Sequence, residues 1–315
     1  MMSQGLRRHL LRVALTVMPA LSVAACGQAT NKVLVIGIDG VRPDVLAEVP
    51  TPNIDALIEA GAFSAQANST STTISGPAWS SMLIGVWPDK HGVLSNDFTG
   101  NHYGEYPDFL TRLEQVRPDI ETFVAADWLP LVTDKSGGPL ITSAVDRIIV
   151  HDGYDLGWAE ADELGVRAAV TVLLDADPDA MFVYLGNPDE TSHQTFSIGE
   201  PYREAIALSD TQVGLLVDAV RDRSSYADEN WLILISTDHG RTQIGQHGGD
   251  SPEETTIFIL AHGPSVLPGP IEGTPQIVDI AVTALTHMGI EIEDGWALDG
   301  RPIALPPVGP AKQGR

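Results

Sequence analysis

Four groups of carboxylates and imidazoles stand just beyond apolar runs of the chain. Asp39-Gly40 closes the run KVLVIGI at 32–38, and Asp189 and His193 lie beyond Phe182–Leu185. Thr237-Asp238-His239-Gly240 follows WLILIS at 231–236, and His247-Gly248-Gly249 comes soon after. Carboxylate plus imidazole is the donor set that zinc takes in hydrolytic sites. Asp189 and His193 are four apart, so one helical turn puts both on one side. Singly, each group reads as a cap or a satisfied polar residue; four in order on one sheet edge point to a shared site. A hydroxyl run, Ser69–Ser75 (STSTTIS), precedes Gly76-Pro77-Ala78-Trp79. Pro77 suits a first helical turn and puts Ser75 at or near the N-cap, where free N–H groups and the positive helix end favour a phosphate. Thr72 and Thr73 compete with Ser75 as nucleophile, and a plain serine cap is the non-catalytic alternative.

These residues need a scaffold. The runs at 32–38, 182–185, 231–236 and 256–261 are continuous and apolar, as in strands covered on both faces of a mostly parallel sheet. Helical patterns lie between them. Thr51-Pro52-Asn53 opens one at 54–60 with Gly61 as its stop, and others run over 108–115, 156–174, 202–221 and 276–288. The alternation predicts an α/β fold, a three-layer α/β/α sandwich with a mostly parallel central sheet. In open sheets of this kind ligands bind outside the carboxyl ends of the strands, where the four groups stand. The segment 95–155 is less regular and leaves room for a small cap over the sheet.

Composition limits the partners. The 315 residues are 43% apolar, with 18 basic against 42 acidic side chains and a formal charge of −24. Nucleic-acid duplex binding needs a basic footprint that this chain lacks. A small anionic substrate is still compatible, because a bound metal reverses the field inside one cleft. The single cysteine, Cys26, rules out an intrachain disulfide. It ends Val23-Ala24-Ala25-Cys26, after Arg7, Arg8, Arg12 and an apolar stretch from Val13 to Val23. That segment resembles a bacterial lipoprotein signal, with residues 1–25 removed and Cys26 lipidated. Arg7-Arg8 also gives a loose match to a twin-arginine signal. The resemblance implies an exported protein of the cell envelope, held to a membrane by its lipid alone. The mature body, 26–315, would carry a charge of −27 after loss of three arginines and no acids.

Taken together, Asp39-Gly40, the Ser75 segment, Gly85-Val86-Trp87-Pro88-Asp89-Lys90-His91-Gly92, Asp189…His193, Asp238-His239-Gly240, His247-Gly248-Gly249 and Asp299-Gly300-Arg301-Pro302 resemble the alkaline phosphatase superfamily. The likeness is nearest to its nucleotide pyrophosphatase/phosphodiesterase branch and spans about residues 32–303, so that 26–315 reads as one catalytic domain. Counting back from Gly85, it places the family's nucleophile at Ser75. It implies two zinc ions, one held by Asp189, His193 and His247 and the other by Asp39, Asp238, His239 and the Ser75 oxygen. It further implies cleavage of phosphodiester or nucleotide pyrophosphate bonds in a small phosphate-ester substrate through a phosphoseryl intermediate. One departure stands out: the branch usually has aromatic-Pro-Asn after the nucleophile, with Asn on a phosphate oxygen, and this chain has Gly76-Pro77-Ala78. Trp79 also occupies the arginine place of the sulfatase motif, against formylglycine chemistry. His91 and Asp210 are read as structural. The competing functions are a phosphomonoesterase of the same superfamily and an inactive binding protein on this fold.

Overall fold

The computed structural model describes residues 29–307. The signal segment and Cys26 lie outside the described residues. Eight strands form one mixed sheet: β1 (Thr30–Ile38), β2 (Ala62–Asn68), β3 (Thr122–Ala126), β4 (Arg147–Val150), β5 (Ala180–Leu185), β6 (Glu229–Ser236), β7 (Thr256–His262) and β8 (Gly269–Pro270). Their order is β4-β3-β5-β1-β6-β7-β2-β8. The four apolar runs are β1, β5, β6 and β7. Alternate residues of β1 enter opposite cores, Val33 and Val35 on one side and Leu34, Ile36 and Ile38 on the other. A strand with both faces covered reads as a continuous apolar run for this reason. Each such buried aliphatic side chain contributes about 1.5–3 kcal/mol to holding the layers together.

The longer helices are α1 (Pro52–Ala60), α2 (Ser75–Ile84), α3 (Phe109–Val116), α4 (Trp158–Asp175), α5 (Asn187–Thr195), α6 (Glu200–Arg221) and α7 (Asp279–His287). One layer buries Trp79, Met82, Phe109, Leu110, Ala284 and Leu285. The other buries Ile54, Leu57, Val166, Leu173, Ile206 and Leu216. The sheet between them makes the three-layer α/β/α architecture. Every residue of α2 is buried, which explains its lack of a polar face. No helix among the described residues is long and apolar enough to cross a membrane.

Three details sharpen the sequence reading. β7 is as apolar as the parallel strands yet runs antiparallel to both β6 and β2, because burial sets the composition of a strand and not its direction. The segment 95–155, read from sequence as less regular, supplies α3, β3 and β4, and the latter two extend the sheet to one edge. Ser75 is the first helical residue of α2, and the N-cap is Ile74, which offers no side-chain acceptor. Asp210 is structural as expected: its carboxylate accepts from Ile54 N at 2.7 Å and Asn53 Nδ2 at 2.9 Å, capping the α1 start from α6. His91 is fully buried, its Nε2 3.0 Å from Ser81 Oγ and its Nδ1 accepting from Val93 N.

Candidate active site

Strands β5, β1 and β6 lie side by side, parallel, and end in step, with Gly37 opposite both Tyr184 and Ser236. Asp39 follows β1, the α5 start follows β5, and Asp238 follows β6, so all are launched from one level. Gly40 turns the chain with φ +66°, and a Cβ there would overlap Arg241 Nη2 and Asp189 Oδ1. Only glycine passes at this point.

All six candidate ligands and Ser75 meet at this edge. Asp39, Asp238 and His239 converge, with His239 Nε2 3.5 Å from Asp39 Oδ1 and 3.3 Å from Asp238 Oδ2. Ser75 Oγ is 3.3 Å from the same nitrogen. Beside this group, His193 Nε2 lies 3.1 Å from Asp189 Oδ2 and 2.9 Å from His247 Nε2. Donor atoms about 2.0–2.1 Å from a tetrahedral ion sit about 3.3 Å from one another, which is the spacing seen here.

Two observations test whether a metal fits. Asp39 Oδ1 and Asp238 Oδ2 are buried with no hydrogen-bond partner among the described residues, and both face His239 Nε2. Burial, and then the neighbouring Asp39, push the Asp238 carboxyl well above its ordinary range. Two carboxylates this deep call for a cation. The imidazoles are oriented to supply lone pairs. His239 Nδ1 donates to Gly240 O at 2.9 Å and His247 Nδ1 to Thr73 O at 2.6 Å, which leaves each Nε2 bare toward the cleft. Burial drives both histidines below their usual range, keeping them neutral.

Several supporting residues carried no separate signal in the sequence. Asp39 Oδ2 accepts from Trp79 Nε1 at 3.0 Å and Tyr184 Oη at 2.6 Å, which turns its free oxygen toward His239. Trp79 stands four residues after Ser75 on α2, and Tyr184 is the one polar tip in β5. Arg241 is fully buried; its Nη2 pairs with Asp189 Oδ1, its Nε donates to Gly40 O and its Nη1 to Gly245 O. A lone arginine two residues after His239 was the available hint. Thr73 is occupied elsewhere: its Oγ1 donates to Gly249 O at 2.8 Å and accepts from Gly248 N at 2.9 Å. That leaves Ser75 as the hydroxyl at the metal-ligand cluster.

The cleft over Ser75 has a volume of ≈ 260 Å³ and is lined by Trp128, Tyr154 and Trp158 together with Asp39, Asp189 and His193. No lysine or arginine lines it among the described residues. A larger hollow of ≈ 670 Å³ between α4 and α6 gathers no comparable cluster. Residues 33–256, which include every candidate site residue, match the model of the family described as type I phosphodiesterase / nucleotide pyrophosphatase. The chain belongs to that family.

This phosphodiesterase-family chain is similar to the mouse ectonucleotide pyrophosphatase/phosphodiesterase family member 7, with 23% identity over 293 residues. The match covers 84% of this chain and 64% of the mouse protein, so the chain spans just under two thirds of that relative's length. Among solved structures, murine ectonucleotide pyrophosphatase/phosphodiesterase 5, an inactive variant in complex with AMP, superposes with a TM-score of 0.65 at 15% identity, covering 89% of this chain and 97% of that one. A 2-O GAG sulfatase superposes with a TM-score of 0.68 at 15% identity, covering 87% and 73%. Both likenesses show the alkaline-phosphatase-like fold of this family member.

Proposed function

We propose that this chain hydrolyses phosphodiester or nucleotide pyrophosphate bonds, with Ser75 as nucleophile. The observation that carries the reading is Ser75 Oγ set 3.3 Å from His239 Nε2, beside two orphaned carboxylate oxygens. Asp39, Asp238 and His239, with Ser75, would hold one zinc ion, and Asp189, His193 and His247 the other. Two such ions supply charge stabilisation to the attacking and leaving oxygens of an in-line displacement. The chain's own part is positional. Ser75 Oγ forms the bond to phosphorus and the ester oxygen leaves, giving a phosphoseryl intermediate that water then cleaves. Trp79 and Tyr184 aim Asp39, and Arg241 aims Asp189.

The cleft favours a diester over a monoester. A monoester dianion gains from a cationic side chain on its third charged oxygen, and none of the described residues that line this pocket is a lysine or arginine. Glu190 stands at the wall instead, its carboxyl pushed above its usual range mainly by burial. The aromatic lining suits a flat part of the substrate such as a nucleobase. The AMP complex of the murine relative is consistent with a nucleotide substrate.

The test is a panel of p-nitrophenyl phosphate, bis(p-nitrophenyl) phosphate and a nucleotide pyrophosphate, run beside metal analysis. We expect about two zinc per chain, loss of activity on chelation, and preference for the second and third substrates. Preference for the monoester would select the phosphatase reading, and zinc binding without turnover the inactive one. We also propose attachment through a lipid on Cys26, supported by Val23-Ala24-Ala25-Cys26 after a short apolar stretch. Cys26→Ser should release the protein from membranes with turnover unchanged; a wild-type protein that is fully soluble overturns the anchor.

A further inference from the structure

Among the described residues that line the cleft, Glu190 is the carboxylate that neither candidate metal position takes. It follows Asp189 on α5 and precedes His193 by three residues, so it is carried into the site by the same helix. Its side chain makes one hydrogen bond among the described residues: Tyr154 Oη donates to its Oε1 at 3.3 Å. No lysine or arginine among them lines the cleft to neutralise it. A half-buried carboxylate facing an anionic substrate has no use for the phosphate. Its partner must be a part of the substrate that is rich in donors.

The neighbouring ring is the one open to a ligand. Tyr154 is 62% exposed, whereas Trp128 and Trp158 are 7% and 6% exposed. Trp158 meets Tyr154 edge-on with centroids 5.0 Å apart. Trp158 has little room to shift, because a Cβ on Gly153 or Gly186 would overlap its ring. Tyr154 is thus backed by a fixed ring, and its hydroxyl holds the Glu190 carboxylate beside it. A carboxylate offers two acceptors and no donor. Among the common bases, guanine sets two donors side by side on its Watson–Crick edge, N1–H and the N2 amine. Adenine and cytosine place a ring-nitrogen acceptor next to their amine, and uracil flanks its single N3–H with two carbonyls.

We propose that Glu190 reads the base of a nucleotide substrate and selects guanine. The base stacks on Tyr154, and its N1–H and N2–H donate to the two carboxylate oxygens, a charge-assisted bidentate pair. The proposal rests on the nucleotide reading of the cleft and goes beyond it by naming the base.

Two readouts on the zinc-loaded protein test this: hydrolysis of GTP, ATP, CTP and UTP, and binding of GMP and AMP by calorimetry. Wild type should favour GTP over ATP in kcat/KM by about 5–150-fold, the discrimination of one good bidentate base contact. GMP should bind more tightly than AMP by a similar factor. Glu190→Gln replaces one acceptor with a donor, the pattern that complements the N6 amine and N1 of adenine. Its GTP:ATP ratio should fall to one or below, with Tm and zinc content close to wild type. A role in folding or metal binding would lower both nucleotides alike and leave the ratio untouched. Tyr154→Phe keeps the ring and drops the hydroxyl, so it should shrink the ratio less than Glu190→Gln. A wild-type preference for any base but guanine, or a ratio that Glu190→Gln leaves unchanged, overturns the role of Glu190 while the nucleotide reading stands. If nucleotides bind without being cleaved, the GMP and AMP affinities of the two proteins decide. If none is cleaved or bound, the nucleotide reading fails and takes the role of Glu190 with it.

Discussion

His239 and His247 lie with their rings stacked, centroids 3.8 Å apart and planes 16° from parallel. One follows β6 directly and the other closes the loop eight residues later, yet each gives its Nδ1 proton to a backbone carbonyl. The stack presents two bare Nε2 atoms to one cleft, one toward Asp39 and Asp238 and the other toward Asp189 and His193. The two candidate metal positions are therefore mechanically joined.

Ser75→Ala should separate chemistry from metal binding. It removes the attacking oxygen and leaves the six protein ligands in place. Turnover should collapse by several orders of magnitude with zinc content nearly unchanged. Thr72→Ala should be mild. Thr73→Ala should be intermediate and should lower zinc content, because Thr73 Oγ1 bonds both Gly248 and Gly249 beside His247. A near-normal Ser75→Ala, measured by steady-state kinetics with metal analysis, would remove the phosphoseryl mechanism.

Tyr184→Phe keeps the ring but deletes the 2.6 Å hydrogen bond to Asp39 Oδ2. Asp39 is then held on that oxygen by Trp79 alone. We expect zinc to bind about 10–100-fold more weakly at the position nearest Ser75, by chelator competition, with the fold intact by circular dichroism. Unchanged affinity would mean that Trp79 suffices to aim the carboxylate.

Arg241→Met should be among the most damaging substitutions away from the ligands themselves. It strips a buried carboxylate of its partner, at a cost of about 3–5 kcal/mol, and frees Asp189 to rotate. Both Tm and zinc content should drop. Arg241→Lys should not restore them, since one ammonium cannot serve Asp189, Gly40 O and Gly245 O from three sides at once.

Asp127 and Asp162 provide a pH test outside the ligand set. Asp162 accepts from Gly186 N and Asn187 N at the α5 start, and burial pushes its carboxyl up to about 6. Burial and then Asp162 push Asp127 well above its ordinary range. Gly186 N bonds Asp162, and no donor among the described residues makes a hydrogen bond to either Asp127 oxygen, so the pair is satisfied when Asp127 keeps its proton and donates it to Asp162. A group whose folded pKa is raised contributes stability at low pH that is lost as pH rises through the folded value. Asp127→Asn carries a permanent donor. Its Tm should match wild type near pH 4 and gain on it toward pH 8, by at most about 1.4 kcal/mol per pH unit. A pH-independent Tm difference would refute the shared proton.

The sequence revealed much of this site because chemistry-bearing side chains sit directly after long apolar strands. Asp39, Asp238 and His239 adjoin β1 and β6, and the Asp189–His193 spacing is one turn of α5. What it concealed has local causes. β2 is built largely of small residues (AFSAQAN) and β3 and β4 are five and four residues long, too short for a periodic signal. Asn96 meets Gly76 across twenty positions of loop and helix, and Arg241 meets Asp189 across fifty-two. No spacing rule anticipates such partners.

The in-step ending of β5, β1 and β6 also governs how the site comes into being. Asp39 and Asp238 are neighbours only after β1 and β6 have paired across nearly two hundred residues of chain. Such non-local closure is slow, and no fragment ending before β6 contains more than Asp39, Ser75, Asp189 and His193 of the constellation. During refolding, zinc capture at the Asp39–Asp238–His239 position would lag behind helix formation and report the arrival of the last central strand.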